Sequence, residues 1–451
     1  MKLKEYLKTC NQVYHITFNP KGPGVCRIHL IPPSKVSLSV SWVVIVNGYD
    51  ILPISGGWAI LLKEFIETVN EANKSEFNEQ DIDLLITKTI NNVKKVFTKT
   101  STTILKEDLT DIIGVITDLA SGEKPSIEIA HTTLKEYGKY MKAPHRMDLM
   151  ISSMMKNNMW NCNQKCLHCY ANTQENAIVD EIDTDSWKSI IDKLKQACVS
   201  QVTFTGGEPT LRDDLVELVN YSKYFITRLN TNGVELSKSL CEQLYEASLD
   251  SVQVTLYSHN KDKHNLLVGS DKFDKTVEGI KNAIKANLNV SINTPLCQIN
   301  KDYVKTIEFA SNLGVRYFSC SGIIMTGSAT TYSSLNTHLS KDELLAILKE
   351  ACDYCNRNNL EISFTSPGWI DETNLKHLKL ITPSCGACLS NMAIAPNGEV
   401  IPCQSWLSKD SLGNLLDTSF NKIWKSKRCK QIRKQSIKKE NQCPLAIKEV
   451  K

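Results

Sequence analysis

Three cysteines, Cys162, Cys166 and Cys169, stand in the run CNQKCLHC with the spacing CxxxCxxC. Thiolates are the soft ligands that iron–sulfur clusters select. A cubane cluster ligated by only three thiolates keeps one iron open to a substrate or cofactor, which a fully ligated electron-transfer cluster does not. Zinc and plain burial of thiols are the alternatives. Zinc knuckles usually pair CxxC units with a fourth Cys or His, and the one near candidate here is His168, inside the motif itself.

Two shorter motifs follow: TGGEP at 205–209 and NTNG at 230–233. Gly206 and Gly207 lack a Cβ and allow backbone groups close to a ligand. Their carbonyls, with the Glu208 carboxylate, suit a cationic amino group. Taken alone, the same run reads as a strand-to-helix turn. The order of the three motifs resembles the radical S-adenosylmethionine (SAM) enzymes. That resemblance implies a 4Fe–4S cluster on Cys162, Cys166 and Cys169, whose open iron is chelated by the amino and carboxylate groups of SAM. The reduced cluster, fed by an external donor of flavodoxin or ferredoxin type, then cleaves SAM to a 5′-deoxyadenosyl radical. It also implies that the Gly206–Gly207–Glu208 segment binds the SAM amino group and that His168 lies near the adenine, packing being its alternative. Asn230, Thr231 and Asn232 either bond the ribose hydroxyls or make an Asx turn.

One departure stands out. Many relatives carry an HDxxRG-like run whose Arg pairs with the SAM carboxylate. Here the stretch is HNLLVG at 264–269, with Val268 at the Arg position. Thr255, Ser258 or Arg228 is then the substitute donor.

These residues need strands to hold them. From 147 to 364, short β-prone runs alternate with amphipathic helical patterns, the βαβ signature. Strands are expected at 200–205, 226–230, 251–256, 289–294 and 315–319, and helices at 183–198, 211–223, 237–247, 273–287 and 302–312. The helix at 273–287 buries Phe273, Val277, Ile280 and Ile284. Six such units suit the partial (βα)6 TIM-like barrel that the resemblance implies, with chemistry at the C-terminal ends of the strands. Cys297 and Cys320, near strand ends, are candidate hydrogen-atom donors. Cys352 and Cys355, on a helical pattern, read as ordinary helix cysteines.

The tail carries a second cysteine set: Cys385, Cys388, Cys403 and Cys443, with Cys429 in reserve. An Asn-Gly pair at 397–398 marks a hairpin between APNGEVIPC strands. This resembles the SPASM/twitch extension of radical SAM enzymes and implies one auxiliary 4Fe–4S cluster. The number follows from the sparse late cysteines and from the chain ending soon after Cys443. A zinc ribbon on Cys385-x-x-Cys388 is the alternative.

The chain has 451 residues, enough for two or three domains, and 53 Lys+Arg against 49 Asp+Glu give +4. So even a balance argues against nucleic acid or an anionic membrane as the main partner. With 16 cysteines, no signal-peptide core and no apolar run of transmembrane length, a reducing, cytoplasmic location is expected. Residues 1–140 hold β-rich stretches at 26–31 and 36–48, then helical patterns at 57–70, 81–98 and 107–119. A small β-unit before three helices fits a winged-helix-like α+β module. In peptide-modifying radical SAM enzymes such a module binds a precursor's leader by adding it as a strand. The domains expected are thus 1–140, the barrel at 145–365 and a small cysteine-rich cluster domain at 366–451. The function expected is hydrogen abstraction from a ribosomally made precursor peptide, giving an oxidative modification such as a thioether or C–C crosslink. A small-molecule cofactor precursor of haem-like kind is the alternative substrate, and a non-enzymatic zinc or nucleic-acid-binding protein the remote one.

Overall fold

In the computed structural model, the described residues are 2–18, 26–48, 50–72, 77–125, 127, 134–331, 336–407, 411–439 and 442–445. The chain divides into two compact units, Met1–Ala143 with Lys195–Ser200, and Pro144–Leu194 with Gln201–Lys451.

The first unit opens with α1 (Leu3–Thr9) and an antiparallel meander of β1 (Tyr14–Phe18), β2 (Cys26–Ile31), β3 (Trp42–Val46) and β4 (Asp50–Ile54). The helices α2 (Gly56–Ala72), α3 (Glu79–Lys94), α4 (Thr102–Ala120) and α5 (Leu134–Gly138) follow. The apolar faces of β1–β3 and of α2–α4 share one core around Leu30, Trp42, Val44, Ile60, Val93 and Leu109. The β-rich run expected at 36–48 yields a strand only over Trp42–Val46; the serine-rich stretch before it turns, with Ser37 and Ser39 hydroxyls 3.1 Å apart.

The second unit is built on parallel strands. Its elements are β5 (Arg146–Ser152), a two-residue hairpin of β6 (Met155–Lys156) and β7 (Met159–Trp160), α6 (Thr184–Gln196), β8 (Gln201–Gly206), α7 (Leu215–Tyr221), β9 (Ile226–Thr231) and α8 (Lys238–Glu246). Then come β10 (Ser251–Thr255), α9 (Lys261–Val268), α10 (Phe273–Lys285), β11 (Asn289–Pro295), α11 (Tyr303–Asn312), β12 (Tyr317–Ser321), α12 (Lys341–Arg357) and β13 (Glu361–Phe364). The tail adds α13 (Glu372–His377), β14 (Asn391–Ile394), β15 (Val400–Ile401), α14 (Phe420–Trp424) and α15 (Lys427–Lys438).

The sheet order is β13-β12-β11-β10-β9-β8-β5-β14-β15. The five expected strands are β8–β12, and β5 stands where the βαβ pattern begins, near 147. Two more parallel neighbours widen the sheet: β13 beside β12, and β14 beside β5 with Ala393 opposite Asp148. The tail is therefore no separate compact unit, because its first strand belongs to the barrel sheet. Alternation divides the faces. Val202, Phe204, Leu229, Val252, Val254 and Ile292 are fully buried on one face, where α10 packs on β11 and α12 on β13. The other face carries Asp148, Thr203, Thr205, Arg228, Asn230, Gln253, Thr255, Asn293 and Ser319, with Gln253 and Asn293 both hydrogen-bonded to Ser319.

Local chemistry explains the differences in detail. In α10 the buried stripe runs through Phe273, Thr276, Val277, Ile280 and Ala283, which leaves Ile284 half-buried at its edge. The helix expected at 211–223 starts only at Leu215. Arg212 has extended backbone and its guanidinium donates to the Ile151 and Ile182 carbonyls at 3.0 and 3.2 Å, so the chain leaves β8 through a short 3₁₀ turn instead.

Candidate active site

The cysteine triplet follows β5, the Gly-Gly-Glu run ends β8, the NTNG run ends β9, and Thr255 ends β10. These four strands are consecutive neighbours and parallel, so all four motifs meet on one rim. Burial, with neighbouring thiols of the triplet as a smaller cause, pushes Cys162 up to about 12 and Cys166 well above its ordinary value. Cys162 Sγ lies 3.6 Å from the Gly207 carbonyl oxygen. Three thiols of one loop beside a carbonyl-lined rim fit an iron–sulfur cluster with one open position. No group of three or more His, Cys, Asp or Glu among the described residues is drawn together tightly enough to hold a single metal ion.

The cysteine loop is gripped from both sides. Lys165 and Leu167 N–H groups donate to the Val268 and Leu267 carbonyls at 2.9 and 2.8 Å, at the end of α9. Gly269 caps that helix at φ +62, where a Cβ would stand 2.3 Å from the Lys165 carbonyl oxygen. On the other side the Ser328 N–H donates to the Cys169 carbonyl at 2.9 Å, and a Cβ on Gly327 would come within 2.4 Å of the same oxygen. Glu181 accepts from the Ser153 N–H and the Asn161 amide, fixing the residue before Cys162. Asn163 joins Asn232 at 2.6 Å.

Val268, at the position where relatives carry Arg, is buried in an apolar cluster with Tyr257, Leu267, Cys297, Ile323 and Ala329, against Cys166 and Leu167. Its side chain packs the cysteine loop. Ser258 is fully buried, with Oγ accepting from the Asn260 N–H at 3.1 Å, while Thr255 lies on the polar face. Arg228 lies on that face three residues below Thr231.

Gly206 and Gly207 have a steric reason beyond ligand access. A Cβ on either would stand 2.4 Å from the Ser152 carbonyl or 2.9 Å from the Ser153 carbonyl. Glu208 is buried and ties the rim together. Its Oε1 accepts from the Thr210 N–H, the Thr210 hydroxyl and the Thr231 hydroxyl, and its Oε2 accepts from the Asn232 N–H at 2.8 Å. Burial raises its pKa, while those bonds oppose the rise. One oxygen is thus saturated and the other keeps acceptor capacity. Asn232 Oδ1 accepts from the Val234 N–H in an Asx turn, and the Thr231 hydroxyl accepts from the Gly233 N–H. Within NTNG, Asn230 keeps the uncommitted amide among the described residues. His168 Nε2 is 2.7 Å from the Thr337 hydroxyl, its Nδ1 is buried without a partner, and burial lowers its pKa to about 4. Cys320 alternates away from the polar face to pack with Tyr303, Cys352 and Cys355, which removes it as a hydrogen donor to that face. Cys297 is fully buried beside Val268, and Cys352 and Cys355 are buried on α12.

In the tail, β14 and β15 form the expected hairpin, with Gly398 at φ +85 in its turn. Cys403 leaves β15, and the thiols of Cys443 and Cys385 lie near enough to raise its pKa, behind burial, to about 12. The Cys388 and Cys429 thiols interact closely, which together with burial pushes the Cys388 pKa up, and which holds that of Cys429 down. Five cysteines therefore converge. One apolar cluster joins the two cysteine regions: Met150, Met154, Ala393, Ile401 and Leu407, with Cys162, Cys169 and Tyr170 packed on it. Sequence reasoning gave no role to Asn161, Asn163, Glu181, Gly269 and Gly327; of these, the asparagines flanking Cys162 and Gly269, the end of the HNLLVG run, carried a signal. No helix among the described residues is long and apolar enough to cross a membrane.

Comparison with known proteins matches residues 161–310 to the radical SAM superfamily and residues 385–445 to SPASM, an iron–sulfur cluster-binding domain. These domains imply a 4Fe–4S cluster with SAM, and further iron–sulfur clusters in the tail. A probable GTP 3′,8-cyclase of Saccharolobus islandicus is 37% identical over 162 residues, 34% of this chain and 51% of the cyclase. The chain thus spans about half the length of that relative. An AdoMet-dependent heme synthase of Oleidesulfovibrio alaskensis is 27% identical over 282 residues, 58% of this chain and 72% of the synthase. Streptococcus suis SuiB, solved bound to the precursor peptide SuiA, shares the fold with TM-score 0.60 at 15% identity over 88% of each chain. The structure of anSMEcpe with bound AdoMet aligns with TM-score 0.52 at 19% identity over 65% of this chain and 84% of that one.

Proposed function

We propose that this chain, whose residues 161–310 form a radical SAM domain and residues 385–445 a SPASM domain, is an enzyme that modifies a ribosomally made precursor peptide. The observation carrying the peptide reading is the order of the parts along the chain. An α+β unit precedes the barrel and the cysteine tail, and this whole layout aligns over 88% of the chain with SuiB, whose structure holds a precursor peptide. In this reading residues 1–140 bind the leader along an outer strand of the β1–β4 sheet, 145–365 carry the reaction and 366–451 the auxiliary centre.

Cys162, Cys166 and Cys169 hold the first cluster, which with SAM supplies reductive cleavage and a hydrogen-abstracting radical when an external flavodoxin- or ferredoxin-type donor feeds it. The chain's own residues position and exclude. The free lone pairs of Glu208 Oε2, with the rim carbonyls, accept from the SAM amino group. Asn230 offers its amide to the ribose. His168, neutral because it is buried, packs toward the adenine and donates or accepts at one nitrogen only. Thr255 takes the carboxylate, since Val268 cannot. Cys385, Cys388, Cys403 and Cys443 hold the auxiliary cluster, with Cys429, against Cys388, as the fifth thiol of that site and its reserve ligand. The polar face from Thr205 to Ser319 receives the peptide segment, and the apolar cluster around Met150 and Ile401 keeps water from the space between the cysteine sets.

A second reading, a haem-like or other small-molecule substrate, is favoured by the heme synthase relative. Co-expression with a short peptide encoded beside the gene separates the two. Loss of hydrogens from the peptide, absent with a Cys162→Ala, Cys166→Ala, Cys169→Ala control, is the expected result. An intact peptide with neither mass loss nor solvent-deuterium uptake refutes the peptide reading for that candidate.

A further inference from the structure

Arg433 stands in an unusual setting. It lies four residues after Cys429 on α15, hence on the same helix face. Its Nε donates to the Cys388 carbonyl at 2.8 Å. Its Nη2 donates to the Trp424 carbonyl at 3.0 Å and to Cys429 Sγ at 3.3 Å. The guanidinium also lies over the indole of Trp424, with Cζ 3.3 Å from the ring centroid. Backbone carbonyls, a ring face and a sulfur thus hold the group at Nε, at Nη2 and at Cζ.

No carboxylate among the described residues pairs with Arg433. Among the described residues the groups that act on Arg433 electrostatically are Cys429 and Cys388 alone. A half-buried cation facing neutral thiols is costly; one facing thiolates is compensated. Cys388 and Cys429 are themselves fully buried and in contact with each other, and Cys388 lies near Cys403. Hydrogen bonds to sulfur and local charge are among the main levers on an iron–sulfur potential.

We infer that Arg433 is a positioning residue of the auxiliary iron–sulfur centre, placing a permanent positive charge and an N–H···S bond against its Cys388–Cys429 side and so raising its reduction potential. The inference rests on the reading of the tail cysteines as a cluster site. Reduction adds one electron from the mediator to the centre, and no covalent bond forms or breaks. A fixed cation favours the more negative, reduced state, so removing it disfavours reduction.

The test uses the full chain with Cys162→Ala, Cys166→Ala and Cys169→Ala, so that only the tail centre is present, and follows its paramagnetic signal in a redox titration. Arg433→Gln is expected to weaken reduction about tenfold, about 59 mV downward for a one-electron couple. Arg433→Lys, which keeps the charge, is expected to stay close to the parent. Arg433→Met keeps the stacking on Trp424 and serves as the neutral variant if the Gln variant does not accumulate. An unchanged midpoint in the neutral variant overturns the inference. So does an equal shift in the Lys and neutral variants, which would mark a purely structural role. A parent with no tail iron would instead refute the cluster reading beneath it.

Discussion

Val268 shows how one side chain can change the duty of a motif. An Arg there would have to cross an apolar cluster to reach the rim, leaving a charge buried among Tyr257, Leu267 and Ile323. Val268→Arg is therefore expected to destabilise the chain by about 3 kcal/mol or more, read as a lower denaturation midpoint, and not to improve SAM affinity. Glu208 makes a complementary case. Each of its four bonds is an acceptance, so an amide in its place turns one donor against another. Glu208→Gln is expected to cost about 1–3 kcal/mol and to loosen both the Gly-Gly and the NTNG ends, visible together as weaker SAM binding by calorimetry. The motif residues themselves were legible in the sequence because their types are chemically restrictive. The local Asx turn at Asn232 was legible too, as one of two alternatives. The commitments of Thr231 and Asn232 to Glu208 and Asn163 were not, since those bonds depend on how closely β8, β9 and the cysteine loop approach.

At the scale of elements, the cysteine loop is a guest held by two hosts: the end of α9 and the 3₁₀ turn Gly327–Thr330. Both grips use a glycine in the left-handed region with no room for a methyl group. Gly269→Ala and Gly327→Ala are each expected to cost about 1–3 kcal/mol of local strain and to lower iron incorporation at Cys162, Cys166 and Cys169. The tail centre should keep its iron, so iron per chain falls without disappearing. Equal loss at both centres would show that the glycines act globally. The strands β8–β12 could be read from alternation, and α10 from its 3.6-residue stripe. The late start of α7 could not, because it depends on Arg212 reaching carbonyls of two other segments. Nor could the place of β14, whose partner lies at the far side of the barrel sequence.

Across the whole molecule, buried imidazoles set an acid limit. His264 is fully buried with Nδ1 accepting from the Tyr257 N–H, and His145 is buried as well. Burial lowers both pKa values from the ordinary 6.5 to about 4. Their neutral forms support the fold fully above pH 6.5, and that support is lost as pH falls toward 4, because the unfolded chain takes up protons first. Denaturant titrations at pH 7 and 4.5 should show the drop, and His264→Asn should make it shallower. A parent and variant with the same slope would remove His264 from this account.

The pairing of β5 with β14 has a consequence for synthesis. Strands paired across a long stretch of chain form late, after the entropy of closing that loop has been met. While the ribosome makes the intervening barrel, the outer edge of the strand that leads into Cys162 has no neighbour. An open edge of that kind invites pairing with other chains. Growth temperature and translation speed should thus govern how much of the chain reaches a form able to take up iron, with slow or warm expression costing yield at the first cysteine set before any chemistry begins.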